Sequence, residues 1–174
     1  MRTEVAFAEH YQAHYRQVRA FCRQLLGSAE QRAEDAAQEA FMRAYRGFAS
    51  YDPSQPFGGW IMKIARNHCL DILRRRGTES SIFFGSETEE IAAVEGPAGD
   101  GLGELLTAER ARAVQAAVAK LPERYRLPLV LAYFSDASYD EIAAELGITR
   151  THVGALLCRA KQTLRKNMSE ENPS

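Results

Sequence analysis

The sequence predicts an all-α protein of two small helical domains joined by an acidic, flexible linker. Apolar residues recur three and four apart, the spacing that lines one face of a helix. Charge is unevenly divided: residues 1–76 hold 12 Lys and Arg against 8 Asp and Glu, residues 77–104 hold none against 7, and residues 105–174 hold 10 against 8. The stretch Ser138–Lys166 has the form of two helices joined by a turn of about three residues. The chain of 174 residues therefore divides into two mildly basic bodies and an acidic strap, although its net charge is only −1. Each body is long enough to bury a modest core.

No run approaches the roughly 18 apolar residues of a membrane span. The opening MRTEVAFAEHY reads as amphipathic rather than as a signal peptide. The chain is expected to be soluble and cytoplasmic, with no membrane insertion. Cys22, Cys69 and Cys158 lie far apart without a C-x-x-C pairing, so they read as reduced thiols rather than as disulfides or zinc ligands.

The first body opens with a helix from about Glu4 to Leu26, on which Phe7, Tyr11, Val18, Phe21 and Leu25 share a face; Gly27 and Ser28 end it. His10 and His14 stand at i and i+4, a spacing that can grip a metal, but no third ligand is evident, and neither metal nor cofactor is expected. A second helix, from about Ala29 to Phe48, has a seam of small residues: Ala33, Ala36, Ala37, Ala40, Phe41 and Ala44. Its other side carries Glu34, Asp35, Gln38, Glu39, Arg43 and Arg46, a solvated face. YDPSQPFGG, Tyr51 to Gly59, is a turn-rich loop whose prolines and glycine pair forbid a continuing helix.

The third helix runs from Pro56 or Phe57 to Arg76, with Ile61, Ile64, Ala65, Ile72 and Leu73 as its buried stripe. Lys63, Arg66, Asn67, Arg74, Arg75 and Arg76 are its exposed positions, and Phe57 and Trp60 sit at its start. Basic side chains neutralise phosphates, and aromatics and amides handle unstacked bases, which is the chemistry of melted or single-stranded DNA. The alternative is Trp60 in the core, with the arginines complementing the helix dipole.

The strap, residues 77–103, holds six glycines, one proline and no positive charge, and should be mostly irregular. Ile82, Phe83 and Phe84 are its candidates for packing on a body. The second body, residues 104–168, begins with a helix from about Glu104 to Lys120. Another follows Pro122, which suits a helix start. Pro128 should kink that helix or make it begin anew near Leu127. Ser138 and Glu141 have the spacing of a capping box, Gly147 can close the helix that follows, and Thr149 can cap the last one. Val153, Leu157, Ala160 and Leu164 form the buried face of that last helix. Thr151, Ala155, Cys158, Arg159 and Gln162 are left free, with His152 at the edge and Arg150, Lys161, Arg165 and Lys166 nearby. A helix of this kind fits the major groove. Residues 169–174 are expected to be a disordered tail.

Four motifs in one order, AEDAAQEAFMRAYR, FGGWIMKIARNHCLDILRRR, LPERYRLPLVLAYF and SYDEIAAELGI, resemble a bacterial RNA polymerase sigma factor of the sigma-70 family, extracytoplasmic-function (ECF) subfamily. The resemblance implies a region 2 helical bundle over residues 1–76 and a region 4 helix-turn-helix domain over residues 104–168. It implies a promoter-specificity subunit that binds core polymerase, opens DNA and serves a stress or envelope-signal regulon, with no active site of its own.

By resemblance, Asp35, Gln38, Glu39 and Phe41 would dock on the β′ clamp helices, with the β flap as a further polymerase contact. Tyr51, Phe57, Trp60, Lys63, Arg66, Asn67, Arg74 and Arg75 would hold the minus-ten element, and Arg150, Thr151, His152, Ala155, Cys158, Arg159 and Lys161 the minus-35 element. The strap would thread the polymerase cleft, with Glu87, Glu89, Glu90 and Glu95 where RNA later passes, and an anti-sigma factor would be the regulator. The recognition helix departs from the family pattern at His152, Gly154, Ala155 and Leu156. An ordinary helix-turn-helix regulator would not need the helix from Trp60 to Arg76 or the strap, and no Ser-His-Asp, Cys-His or phosphate-loop pattern points to an enzyme.

Overall fold

The computed structural model describes residues 2–27, 30–77 and 108–171. The described residues form seven α-helices and no strand: α1 Arg2–Leu26, α2 Glu30–Gly47, α3 Phe57–Gly77, α4 Ala108–Ala119, α5 Glu123–Phe134, α6 Tyr139–Leu146 and α7 Arg150–Glu171. A single 3-10 turn, Phe48–Ser50, follows α2. The chain divides into two compact units, residues 1–81 and 82–174. The expected strap over 77–103 lies outside the described residues except for Gly77, which ends α3.

In the first unit α1, α2 and α3 pack on one another. Val18, Phe21, Cys22 and Leu25 of α1 meet Ala33, Ala36, Ala37, Ala40, Phe41 and Ala44 of α2, all buried. The alanine seam lets the two backbones approach closely, as ridges of short side chains leave shallow grooves. Gly27 closes α1 with φ +56°, its N–H donating to the Arg23 carbonyl at 3.1 Å. Glu30 then ties the hairpin, reaching Arg19 at 3.1 Å and Arg23 at 3.6 Å. Because α3 packs on both partners, its buried arc is wider than the sequence stripe. Ile61, Met62, Ala65, Arg66, Cys69, Leu70 and Leu73 are buried, whereas Ile64 and Ile72 are only half-buried.

In the second unit α7 packs on α4, α5 and α6. Its Val153, Leu157, Ala160 and Leu164 are buried as expected, together with Ala155 and Leu156. The capping box of α6 is complete: Glu141 N–H donates to Ser138 Oγ at 3.2 Å, and Ser138 N–H to Glu141 Oε2 at 2.8 Å. Gly147 ends α6 with φ +68°, and the Ile148 amide bonds the Ala143 carbonyl at 3.0 Å. Thr149 Oγ1 caps α7 by accepting from the His152 amide at 3.1 Å.

Two expectations are corrected in this unit. α5 is one helix from Glu123 to Phe134 that runs through Pro128, so of the two expected outcomes, a kink or a new start near Leu127, the new start does not occur. Burial of Leu127, Pro128, Leu129, Val130 and Leu131 against the rest of the unit offsets the hydrogen bond that proline cannot make. α7 continues through Ser169, Glu170 and Glu171, the first half of the tail expected over 169–174, and residues 172–174 lie outside the described residues.

Candidate nucleic-acid interface

Three faces carry the candidate residues. The first is a stripe on α3. Lys63 and Asn67 are exposed, as are Arg74, Arg75 and Arg76 at the helix end. At 100° per residue Lys63, Asn67 and Arg74 fall in line below Trp60, which is half-buried. Arg74 Nη1 also bonds Asp71 Oδ1 at 3.2 Å. Above the stripe stands an aromatic group in which Tyr51 lies 5.0 Å from Trp60 and 5.7 Å from Phe48, ring centre to ring centre. The loop tip is folded by its own polar groups: Asp52 Oδ1 accepts from the Ser54 amide at 2.9 Å and Oδ2 from the Ser54 hydroxyl at 2.7 Å. These bonds hold the Asp52 carboxyl below its ordinary value. An aromatic head followed by cations and an amide down one helix matches the needs of a separated DNA strand.

Two residues assigned to this stripe do not belong to its surface. Phe57 is 4% exposed and stacks on His10 of α1, with ring centres 4.2 Å apart. Arg66 is 6% exposed, and its Nε is buried without a hydrogen-bond partner among the described residues. It follows Ile61, Met62 and Ala65 around the helix into the arc that α1 and α2 cover.

The second face is the outer side of α2. Asp35 and Gln38 are exposed and Glu39 is half-buried. Gln31 Nε2 donates to Asp35 at 3.0 Å, and Arg43 Nε to Glu39 at 2.9 Å. The Arg43 bond holds the Glu39 carboxyl below the usual range. Gln38 is hydrogen-bonded to the Tyr15 side chain of α1. Phe41, expected on this face, is buried, with Tyr11 at 4.8 Å and Phe7 at 6.4 Å between ring centres. Its place on the surface is taken by residues the sequence reading passed over, Met42 and Tyr45, each 51% exposed. Asp35, Gln38, Met42 and Tyr45 are spaced three, four and three, so they form one stripe, polar at its start and apolar at its end. The signal was present as two large apolar residues on an otherwise charged face.

The third face is on α7. Thr151, Gln162, Arg165 and Lys166 are exposed, and Cys158 is half-buried with its sulfur accepting weakly from Gln162 at 3.8 Å. Arg150 is exposed but engaged: it donates to Asp140 of α6 at 2.8 Å, and its guanidinium lies 6.0 Å from the Tyr139 ring centre. Lys161 stands 5.4 Å from the Tyr133 ring centre. His152 and Arg159 are half-buried. Ala155, expected on the free face, is buried, because α7 is covered over a broader arc than a single hairpin partner would cover. Gly154 is beside Tyr139; a Cβ there would stand 3.8 Å from Cε2.

Residues 10–79 match the family Sigma-70 region 2, and residues 111–164 match Sigma-70, region 4. The chain belongs to the sigma-70 family. This sigma factor is 30% identical over 171 residues to the ECF RNA polymerase sigma factor SigW of Bacillus subtilis, covering 95% of this chain and 90% of that protein. It is 32% identical over 173 residues to the ECF RNA polymerase sigma factor RpoE of Cereibacter sphaeroides, covering 97% and 89%. These relatives place it in the ECF group.

Its fold is similar to that of the sigma factor RpoE from Bartonella quintana, solved with the anti-sigma factor NepR. The TM-score is 0.57 and the identity 22%, over 96% of this chain and 99% of that one. It is also similar to CnrH, solved with the cytosolic domain of CnrY, with a TM-score of 0.53 and 24% identity over 97% and 91%. As a member of this family the protein is a promoter-specificity subunit: its partners are core RNA polymerase and promoter DNA, and it is not an enzyme. No helix among the described residues is long and apolar enough to cross a membrane.

Proposed function

We propose that the three faces divide the work of promoter recognition. The α2 stripe docks on the β′ clamp helices through Asp35, Gln38 and Glu39, extended by Met42 and Tyr45. The α3 stripe and its aromatic head hold the opened minus-ten element: Tyr51 and Trp60 meet bases, Asn67 reads or supports them, and Lys63, Arg74 and Arg75 neutralise phosphates. The α7 face takes the minus-35 element in the major groove, with Thr151, Cys158 and Gln162 toward base edges and Arg159, Arg165 and Lys166 toward the backbone. Arg150, His152 and Lys161 act at the margin of that face. The β flap is the polymerase partner of the second unit, and the acidic segment 77–103 passes between the two contacts.

Both solved neighbours were captured with anti-sigma partners, and a partner of that kind is proposed to cover these faces until an envelope or stress signal releases it in the cytoplasm. The observation that carries the division of labour is the separation of stripes within one unit. Acidic and apolar residues share a line on α2, and basic and aromatic residues share a line on α3.

The test is assembly with bacterial core polymerase, followed by run-off transcription from genomic fragments. A complex that starts at defined sites is expected. Asp35→Ala with Glu39→Ala should weaken the complex and leave the helical content unchanged, whereas Arg74→Ala with Arg75→Ala should leave the complex intact and impair opening. Tight, salt-sensitive duplex binding by the protein alone, with no polymerase complex, would overturn the reading.

A further inference from the structure

Rings from three elements meet at the N-terminal end of α3. His10 of α1 lies flat on Phe57, with planes 8° apart, and stands edge-on to Tyr51 at 6.2 Å and Phe48 at 6.1 Å. His14, one turn along α1, is 5.5 Å from Phe57. Gly58 comes so close that a Cβ there would lie 3.1 Å from His14 Cε1. Phe48 and Tyr51 are themselves stacked, with planes 14° apart, and Tyr51 donates its hydroxyl proton to the Gln55 carbonyl. The polar bonds around Asp52 shape the loop tip from within. The ring contacts are what relate that tip to α1 and α3.

We infer that His10 is a positioning residue for minus-ten recognition. Its imidazole is the surface on which Phe57 rests, and Phe57 in turn sets the loop that carries Tyr51; His14 forms the wall behind Gly58. The inference rests on the assignment of Tyr51 and Trp60 to the minus-ten element. A flat ring on a flat ring resists both tilt and slide, and a small side chain at position 10 would leave Phe57 free to sink and the loop to follow. Geometry at a base-reading surface is sensitive to such shifts, because a displaced ring loses its stacking contact. His10 is half-buried and acts through Phe57 rather than by touching DNA.

The experiment uses holoenzyme assembled from core polymerase with the wild-type factor, His10→Ala, His10→Phe or Tyr51→Ala. Binding is measured to fork-junction DNA carrying each base in turn across the minus-ten element of a promoter found by run-off transcription. His10→Ala and Tyr51→Ala are expected to lower the ratio between preferred and disfavoured bases by about three- to tenfold, the factor that one aromatic pair carries, with core affinity unchanged. His10→Phe keeps a flat ring on Phe57 and should retain the ratio. Trp60 is the one tryptophan in the chain, and its emission should shift in His10→Ala but not in His10→Phe. Discrimination unchanged in His10→Ala but lost in Tyr51→Ala would overturn the inference alone, as would equal loss in His10→Ala and His10→Phe. Discrimination unchanged in Tyr51→Ala as well would overturn the minus-ten assignment and the inference with it.

Discussion

Phe41 separates what a motif implies from what a side chain touches. It stands in the motif that implies polymerase docking, yet it is 3% exposed among Phe7, Tyr11 and Tyr15. Phe41→Ala should therefore cost about 3–5 kcal/mol of stability through the cavity it leaves, measured by denaturant unfolding, whereas Met42→Ala or Tyr45→Ala should cost little stability and weaken the polymerase complex. A Phe41 variant of full stability but poor docking would return the residue to the surface role. Gly154 makes the opposite case. It sits inside α7, where a methyl group would meet Tyr139 at ordinary van der Waals distance. Gly154→Ala should stabilise the second unit by about 0.5–1 kcal/mol through helix propensity alone, read as a higher denaturation midpoint.

At the scale of the helix, α3 changes chemistry within about 100° of arc. Its exposed line runs through Lys63, Asn67 and Arg74, and His68, the residue after Asn67, lies at the border of the buried arc, where it feels Arg43 and Glu39 of α2. His68 is half-buried, and its Nδ1 is buried without a hydrogen-bond partner among the described residues. Burial, and then the Arg43 guanidinium, hold the imidazole below its usual value, opposed by Glu39 and Asp71, with Arg75 adding to the depression. The unfolded chain takes up a proton near the usual value of about 6.5, while the folded unit resists it. Stability is therefore intact above that value and is drawn down as pH falls from it toward the depressed native one. Thermal melts at about pH 7.5 and about pH 5.5 should show this loss in the wild type and a smaller one in His68→Gln; equal losses would assign the effect to other groups. The helix ends set by Gly27, Ser138, Gly147 and Thr149 and much of the buried faces of α1, α2, α3 and α7 were legible in the sequence, because such caps act locally and the apolar spacing shows one face of each of those helices. The full width of the buried arcs was not. Arg66 and Ala155 are covered because a third helix packs there, and no single-helix periodicity records how many neighbours a helix has.

Over the whole molecule, the charge division and the order of motifs were enough to read two bodies and their family from the sequence, while Met42 and Tyr45, large apolar residues on a charged face, were obscured by Phe41 beside them, which turns inward. Each body has its own core: Phe21, Leu25, Ile61 and the α2 alanines in one, and Val118, Leu121, Leu131, Ile142 and Leu157 in the other. A unit that buries its own apolar residues carries its own unfolding free energy, and a change within one core leaves contacts in the other untouched. Calorimetry of the intact chain should then resolve two transitions. Phe41→Ala should lower one of them and leave the other within error, while Leu157→Ala, which opens a cavity under α7, should do the reverse at a cost of about 2–5 kcal/mol. If either substitution moved both transitions together, the two cores would be one cooperative system, and the separate assignment of minus-ten and minus-35 functions to independently stable bodies would fail with it.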